Sequence, residues 1–184
     1  MKPCCGFGKM LYITAMFTSV CLTVAALALP QWLTMSFAAH ADINIALLDS
    51  DPYISGYLKA QWYFCAIVWA VIADFIAFFN FSAFGLACSQ PTQCYLAMRR
   101  SAILSCFVFG QFLAVIIVFP LEYSSKKTPY ANIELGTSFY LLCGAEVAAL
   151  IGVICGFVTS QIMYNALERD WNKRYSLCSI CLPY

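Results

Sequence analysis

Four apolar stretches dominate the chain, from about Met10 to Leu29, Trp62 to Leu86, Ala102 to Phe119 and Phe139 to Met163. About twenty apolar residues, rising about 1.5 Å each as a helix, match the roughly 30 Å of hydrocarbon in a bilayer. The remaining composition agrees: 62% of residues are hydrophobic and 10% charged, outside the range of a water-soluble globular domain. The stretches take up more than half of the 184 residues. The longest gap between them, about Gln31 to Gln61, is too short for an autonomous catalytic domain. The fold expected is therefore an all-α membrane protein, one domain over 1–184. It is an antiparallel bundle of four transmembrane helices with a short tail over 164–184, and the outer loops add at most a small β-hairpin or an irregular cap. The first stretch is longer than the core of a signal peptide and lacks a small-residue cleavage site before Pro30, so it is read as a retained span.

Charge sets the expected orientation. Lys2, Lys9, Arg99, Arg100, Arg169, Lys173 and Arg174 fall on the side shared by the two termini, against Lys59, Lys126 and Lys127 on the other. The positive-inside bias then places both termini and the middle loop in the cytoplasm. None of the eleven cysteines falls in either outer loop, which argues against an external disulfide framework. Cys21, Cys65, Cys106, Cys143 and Cys155 lie within spans, where they read as small packing residues. Cys4, Cys5, Cys88, Cys94, Cys178 and Cys181 lie near the inner face beside basic residues and are candidates for palmitoylation. The Cys178 and Cys181 spacing, without a second pair or a nearby histidine, is weak support for zinc, and no metal site is expected.

Polar residues inside the spans carry the sharpest question. An acid at a helix centre costs roughly 2.5 to 3.5 kcal/mol on an insertion scale. Counting from the span edges places Asp74, Gln111 and Glu146 roughly 15 to 18 Å into the membrane, with Ser19 at a similar level. Together they define one polar layer. Asp74 shares a small-residue ribbon with Ala66 and Ala70, flanked by Ala77, and is expected inside the bundle. Gly144, Ala148, Gly152 and Gly156 form a longer ribbon on the fourth span, and Glu146 lies about 160° around the helix from it. Glu146 therefore faces either another helix of the bundle or a partner protein. The plainer alternative is that these groups are structural, with no ion pathway.

Several short motifs now form a pattern. Ala28-Leu29-Pro30-Gln31-Trp32, followed by Ser36-Phe37, resembles the exit of the first span in claudins. Tyr57 to Gln61 resembles the claudin entry into the second span, and Cys88 and Cys94 the cysteine pair after it. Glu134-Leu135-Gly136-Thr137-Ser138-Phe139-Tyr140 looks like the segment closing the second outer loop. In order and coverage the chain resembles the superfamily of claudins, peripheral myelin and epithelial membrane proteins, and calcium-channel gamma subunits. It departs in the first outer loop, which lacks the Gly-Leu-Trp signature and the two cysteines of claudins. That departure removes the residues by which a claudin would seal or conduct between cells.

The function expected is non-enzymatic. The lone His40, the midspan acids and the scattered cysteines form no catalytic constellation, and no cofactor, nucleic acid or small-molecule substrate is expected. Asp42, Asp49 and Asp51 read as a solvated loop surface. The resemblance implies a plasma-membrane protein acting through lateral helix and outer-loop contacts, in cell-cell contact or membrane organisation. It also leaves open an auxiliary subunit that modulates a channel or receptor. The expected partners are the lipid bilayer and other membrane proteins, through self-association or a channel or receptor. The C-terminal Cys181-Leu182-Pro183-Tyr184 does not resemble a PDZ-binding end.

Overall fold

The computed structural model describes residues 3–37, 40–47, 57–80, 91–124 and 132–180. Four helices account for most of them: α1 Pro3–Ala28, α2 Tyr57–Asn80, α3 Pro91–Ser124 and α4 Thr137–Ile180. All four are long and apolar enough to cross a membrane, and the chain is a multi-pass membrane protein. Two helices exceed the expected spans. At 34 residues α3 begins at Pro91, whose missing amide suits a first helical position. At 44 residues α4 is about 66 Å long, so the expected tail is in large part a continuation of the helix beyond the bilayer. Cys88, Cys181, Asp49, Asp51, Lys126 and Lys127 lie outside the described residues.

The helices form a ring in the order α1, α4, α3, α2, with α1 on α4 the most extensive contact and α1 on α2 the slightest. Small residues explain the first. A Cβ on Gly144 would lie 3.4 Å from Leu22 and one on Gly152 2.5 Å from the Met16 sulfur, and Gly8 meets Thr159 directly. Such surfaces let two backbones approach closely in lipid, where no hydrophobic force draws helices together. On α2 the buried residues Tyr63, Ala66, Ile67, Ala70, Ala73, Asp74 and Ala77 repeat at three- and four-residue steps, as one face of a helix requires. The expected Ala66, Ala70, Asp74 and Ala77 ribbon is thus a buried packing face. Thr14, Thr18 and Thr23 return their hydroxyls to α1 carbonyls at 2.8 to 3.1 Å, which satisfies them without a partner helix.

A small antiparallel sheet caps one end. Strands β1 (Leu33–Phe37), β2 (His40–Ile45) and β3 (Asn132–Leu135) lie in the order β2-β1-β3. The β1–β2 hairpin matches the expected cap. The third strand does not: it comes from the segment before α4 and pairs Leu33 with Leu135 and Thr34 with Glu134. Leu33 and Leu135 sit at the same register as Ile45, and Leu33 is buried against the bundle. Thr34, Glu134 and Asn44 lie at the next register position, as the two-residue period of a strand dictates.

Beneath the sheet the core is aromatic. Phe119 of α3 meets Trp32 edge-on at 5.7 Å, Tyr63 of α2 edge-on at 5.5 Å and Phe139 of α4 stacked at 5.9 Å. One ring thereby joins three helices and the turn after α1. At the opposite end Tyr12, Met16, Cys94, Met98 and Met163 form a second cluster.

Candidate functional site

Two arrangements gather the residues singled out by the sequence. The first joins the Pro30 turn to the start of α4. The Trp32 indole donates to the Ala26 carbonyl at 3.0 Å, and the Ser138 hydroxyl donates to the Leu29 carbonyl at 2.8 Å. Both acceptors belong to the last turn of α1 or the residue after it, where a helix leaves its carbonyls without internal partners. In return the Ser138 amide donates to Gln31 O at 3.0 Å and the Gly136 amide to Trp32 O at 2.9 Å. Gly136 is required by space, since a Cβ there would collide with the Gln31 backbone carbonyl. The turn carrying Gln31 and Trp32 thus meets Gly136 and Ser138, with Leu135 and Glu134 paired to Leu33 and Thr34 beside it, in one clasp between segments a hundred residues apart in sequence.

The second arrangement is a polar seam within the membrane. Ser19 and Asp74 are fully buried, and Ser19 is the polar side chain set toward the Asp74 carboxyl, without a hydrogen bond formed between them. Next to them the Tyr12 hydroxyl and Ser105 Oγ share a hydrogen bond of 2.9 Å. Ser105 also donates to the Ser101 carbonyl at 2.9 Å, and Ser101 donates to the Ala77 carbonyl of α2 at 3.3 Å. The seam therefore ties α1, α2 and α3 together. Tyr12, Ser101 and Ser105 were not singled out in the sequence. Their signal was legible, since serines four residues apart on an apolar span lie on one helix face.

Glu146 is 8% exposed, and neither of its carboxyl oxygens has a hydrogen-bond partner. It lies on the buried side of α4 among Leu142, Ala145 and Ala149, with Cys143 as its titratable neighbour on the same helix. Of the two orientations expected for Glu146, the bundle-facing one holds and the partner-facing one does not. Gln111 is only half-buried on α3 and adds no buried group to the seam.

The α4 ribbon is also used internally. Gly144 and Gly152 pack on α1, while Gly156 meets Ala102 of α3 and Tyr12, at 2.9 and 3.3 Å from an added Cβ. Ala148 is buried as well. This surface is occupied by the chain's own helices, so it offers nothing to a partner.

Cysteine placement changes one candidate. Cys94 is buried in the second cluster and accepts a 2.9 Å hydrogen bond from the Lys9 ammonium, so its thiol is closed to acylation in the folded bundle. Cys4, Cys5 and Cys178 lie on α1 and α4 near the end opposite the sheet. Cys21, Cys65, Cys106, Cys143 and Cys155 are free thiols. No group of three His, Cys, Asp or Glu side chains lies close enough to hold a metal among the described residues.

No protein-family model matches the chain, and no curated protein matches it. The claudin resemblance rests on the motifs quoted above.

Proposed function

We propose that this chain is a claudin-like, non-enzymatic membrane protein that acts by lateral helix contacts and by contacts of its sheet-capped end. Its place is the plasma membrane, at cell-cell contacts or in membrane organisation. The observation that carries this reading is the clasp. Two motifs of the resemblance, the one at Pro30 to Trp32 and the one that opens at Glu134, meet in space and hold a β-sheet on a four-helix bundle. The proposed orientation puts both termini in the cytoplasm. Lys9, Arg99, Arg100, Arg169, Lys173 and Arg174 all belong to the ends of α1, α3 and α4 away from the sheet, whereas Lys59 opens α2 at the sheet end.

With the α4 ribbon occupied, lateral contact falls to the outward faces, such as Trp69 on α2 and Ile103 and Ile117 on α3, all exposed. The reduced hairpin favours a second reading, an auxiliary subunit of a channel or receptor, because it is small for a paracellular seal. Purification from native membranes through a tag on the C-terminus separates the two. Stoichiometric recovery of a channel or receptor would overturn the junctional reading. Self-association alone, with enrichment at cell borders, would overturn the auxiliary one.

A further inference from the structure

We infer that Arg99 and Arg100 of α3 bind the headgroup of an anionic phospholipid, in the leaflet on the side of the termini. The rise from Arg100 to Leu121, where the apolar stretch of α3 ends, is about 31 Å. The hydrocarbon core of a bilayer is about 30 Å thick, so the two arginines stand at its edge, at the depth of the lipid phosphates. Both are exposed. Leu96, Ile103 and Phe107 fall on the same face of α3 as Arg100, at three- and four-residue steps, and all three are exposed. This face therefore looks out of the bundle toward lipid.

Charge identifies the occupant. The Arg99 guanidinium is held at the seam between α3 and α4: its Nη1 donates to the Tyr95 hydroxyl at 2.9 Å, and the Tyr95 ring lies 5.7 Å from that of Tyr164 on α4. One N–H is used there, and the rest of the fork is left for the oxygens of a phosphate. Lys9 and Arg169, also at this end, turn elsewhere: Lys9 Nζ donates to Cys94 Sγ at 2.9 Å and Arg169 Nε to Asn165 O at 3.0 Å. Among the described side chains the acids at this end are Glu168 and Asp170 of α4. Glu168 lies one turn beyond the Tyr95–Tyr164 pair and Arg99 one turn to its other side, about 12 Å apart along the axis. Among the described residues, two adjacent arginines at the lipid edge thus have no acid at their own level. An anionic headgroup supplies that charge at this depth, whereas a zwitterionic one carries its own cation.

The test uses the full chain in phosphatidylcholine vesicles doped with a trace of a phosphatidylserine probe or, in a parallel sample, of a phosphatidylcholine probe. Each probe carries a diazirine on its acyl chain close to the glycerol. After irradiation, the phosphatidylserine probe is expected to label α3 around Arg100 about tenfold more than the phosphatidylcholine probe, as arginines facing an anionic lipid imply. Arg99→Gln combined with Arg100→Gln is expected to abolish that difference. Arg169→Gln, farther along α4, is expected to leave it unchanged. The two wild-type maps decide the question even where a variant folds poorly. Equal labelling by the two probes near Arg100 would overturn the inference, as would phosphatidylserine label spread evenly over the ends of all four helices. Loss of the label on adding inorganic phosphate at constant ionic strength would also overturn it, since the ligand would then be a free anion.

Discussion

At the scale of single residues, space and hydration decide different positions. Gly152 is a contact glycine: a side chain there must displace the Met16 sulfur at 2.5 Å and then press on Ala15. Gly152→Leu is expected to cost about 1–3 kcal/mol, as overpacking does, and to lower the thermal midpoint of the purified protein. Gly110 is the matched control, because nothing lies within 4 Å of a Cβ added there. Gly110→Ala is expected to stabilise α3 by up to about 1 kcal/mol, the difference in helix propensity, and to raise the same midpoint. Asp74 poses the hydration question. Its carboxyl oxygens are buried and unpartnered, and an amide of the same shape lacks the cost of inserting an acid at the bilayer centre. Asp74→Asn is accordingly expected to leave the midpoint unchanged or higher. A clear fall would show that the bundle uses the acid itself.

At the scale of elements, the strongest helix pair is formed by the two helices farthest apart in sequence. Succession along the chain makes α1 and α2 neighbours, but small residues and the clasp make α1 and α4 partners. The clasp has separable parts. Ser138→Ala removes one hydrogen bond, to the Leu29 carbonyl, and is expected to cost about 1 kcal/mol. Phe119→Ala removes the ring on which Trp32, Tyr63 and Phe139 converge, and is expected to cost about 3–5 kcal/mol. Thermal unfolding of both variants in one detergent gives the order; a larger loss for Ser138→Ala would mean that hydrogen bonds, rather than the aromatic cluster, hold the sheet to the bundle. The third strand follows from the same clasp. Asn132–Leu135 carries no strong strand pattern of its own, and it pairs because Gly136 and Ser138 are already held beside β1.

For the whole molecule, the cysteines report topology and packing together. Labelling by a maleimide that does not cross membranes, on sealed cells and then on permeabilised ones, is expected to modify Cys4, Cys5 or Cys178 only after permeabilisation. Modification on sealed cells would reverse the proposed orientation. Cys94 is expected to resist the reagent under both conditions and to react only after denaturation, since its thiol is buried against Lys9. Exchange of hydroxylamine-sensitive acyl groups is expected to give no signal at Cys94.

The four spans, the burial of Asp74 and the small-residue faces on α2 and α4 were legible in the sequence, because length, hydropathy and helical period act locally along the chain. The length of α4 was only partly legible: its polar last turns look like a tail, and they carry the helix on beyond the bundle. Which helix each face meets was settled only in three dimensions. Glu146 turned inward and the glycine ribbon closed on α1 and α3, because contacts between spans depend on how side chains from distant segments fit together. The third strand of the cap has the same origin. Periodicity tells which face of a span is special; packing decides what that face touches.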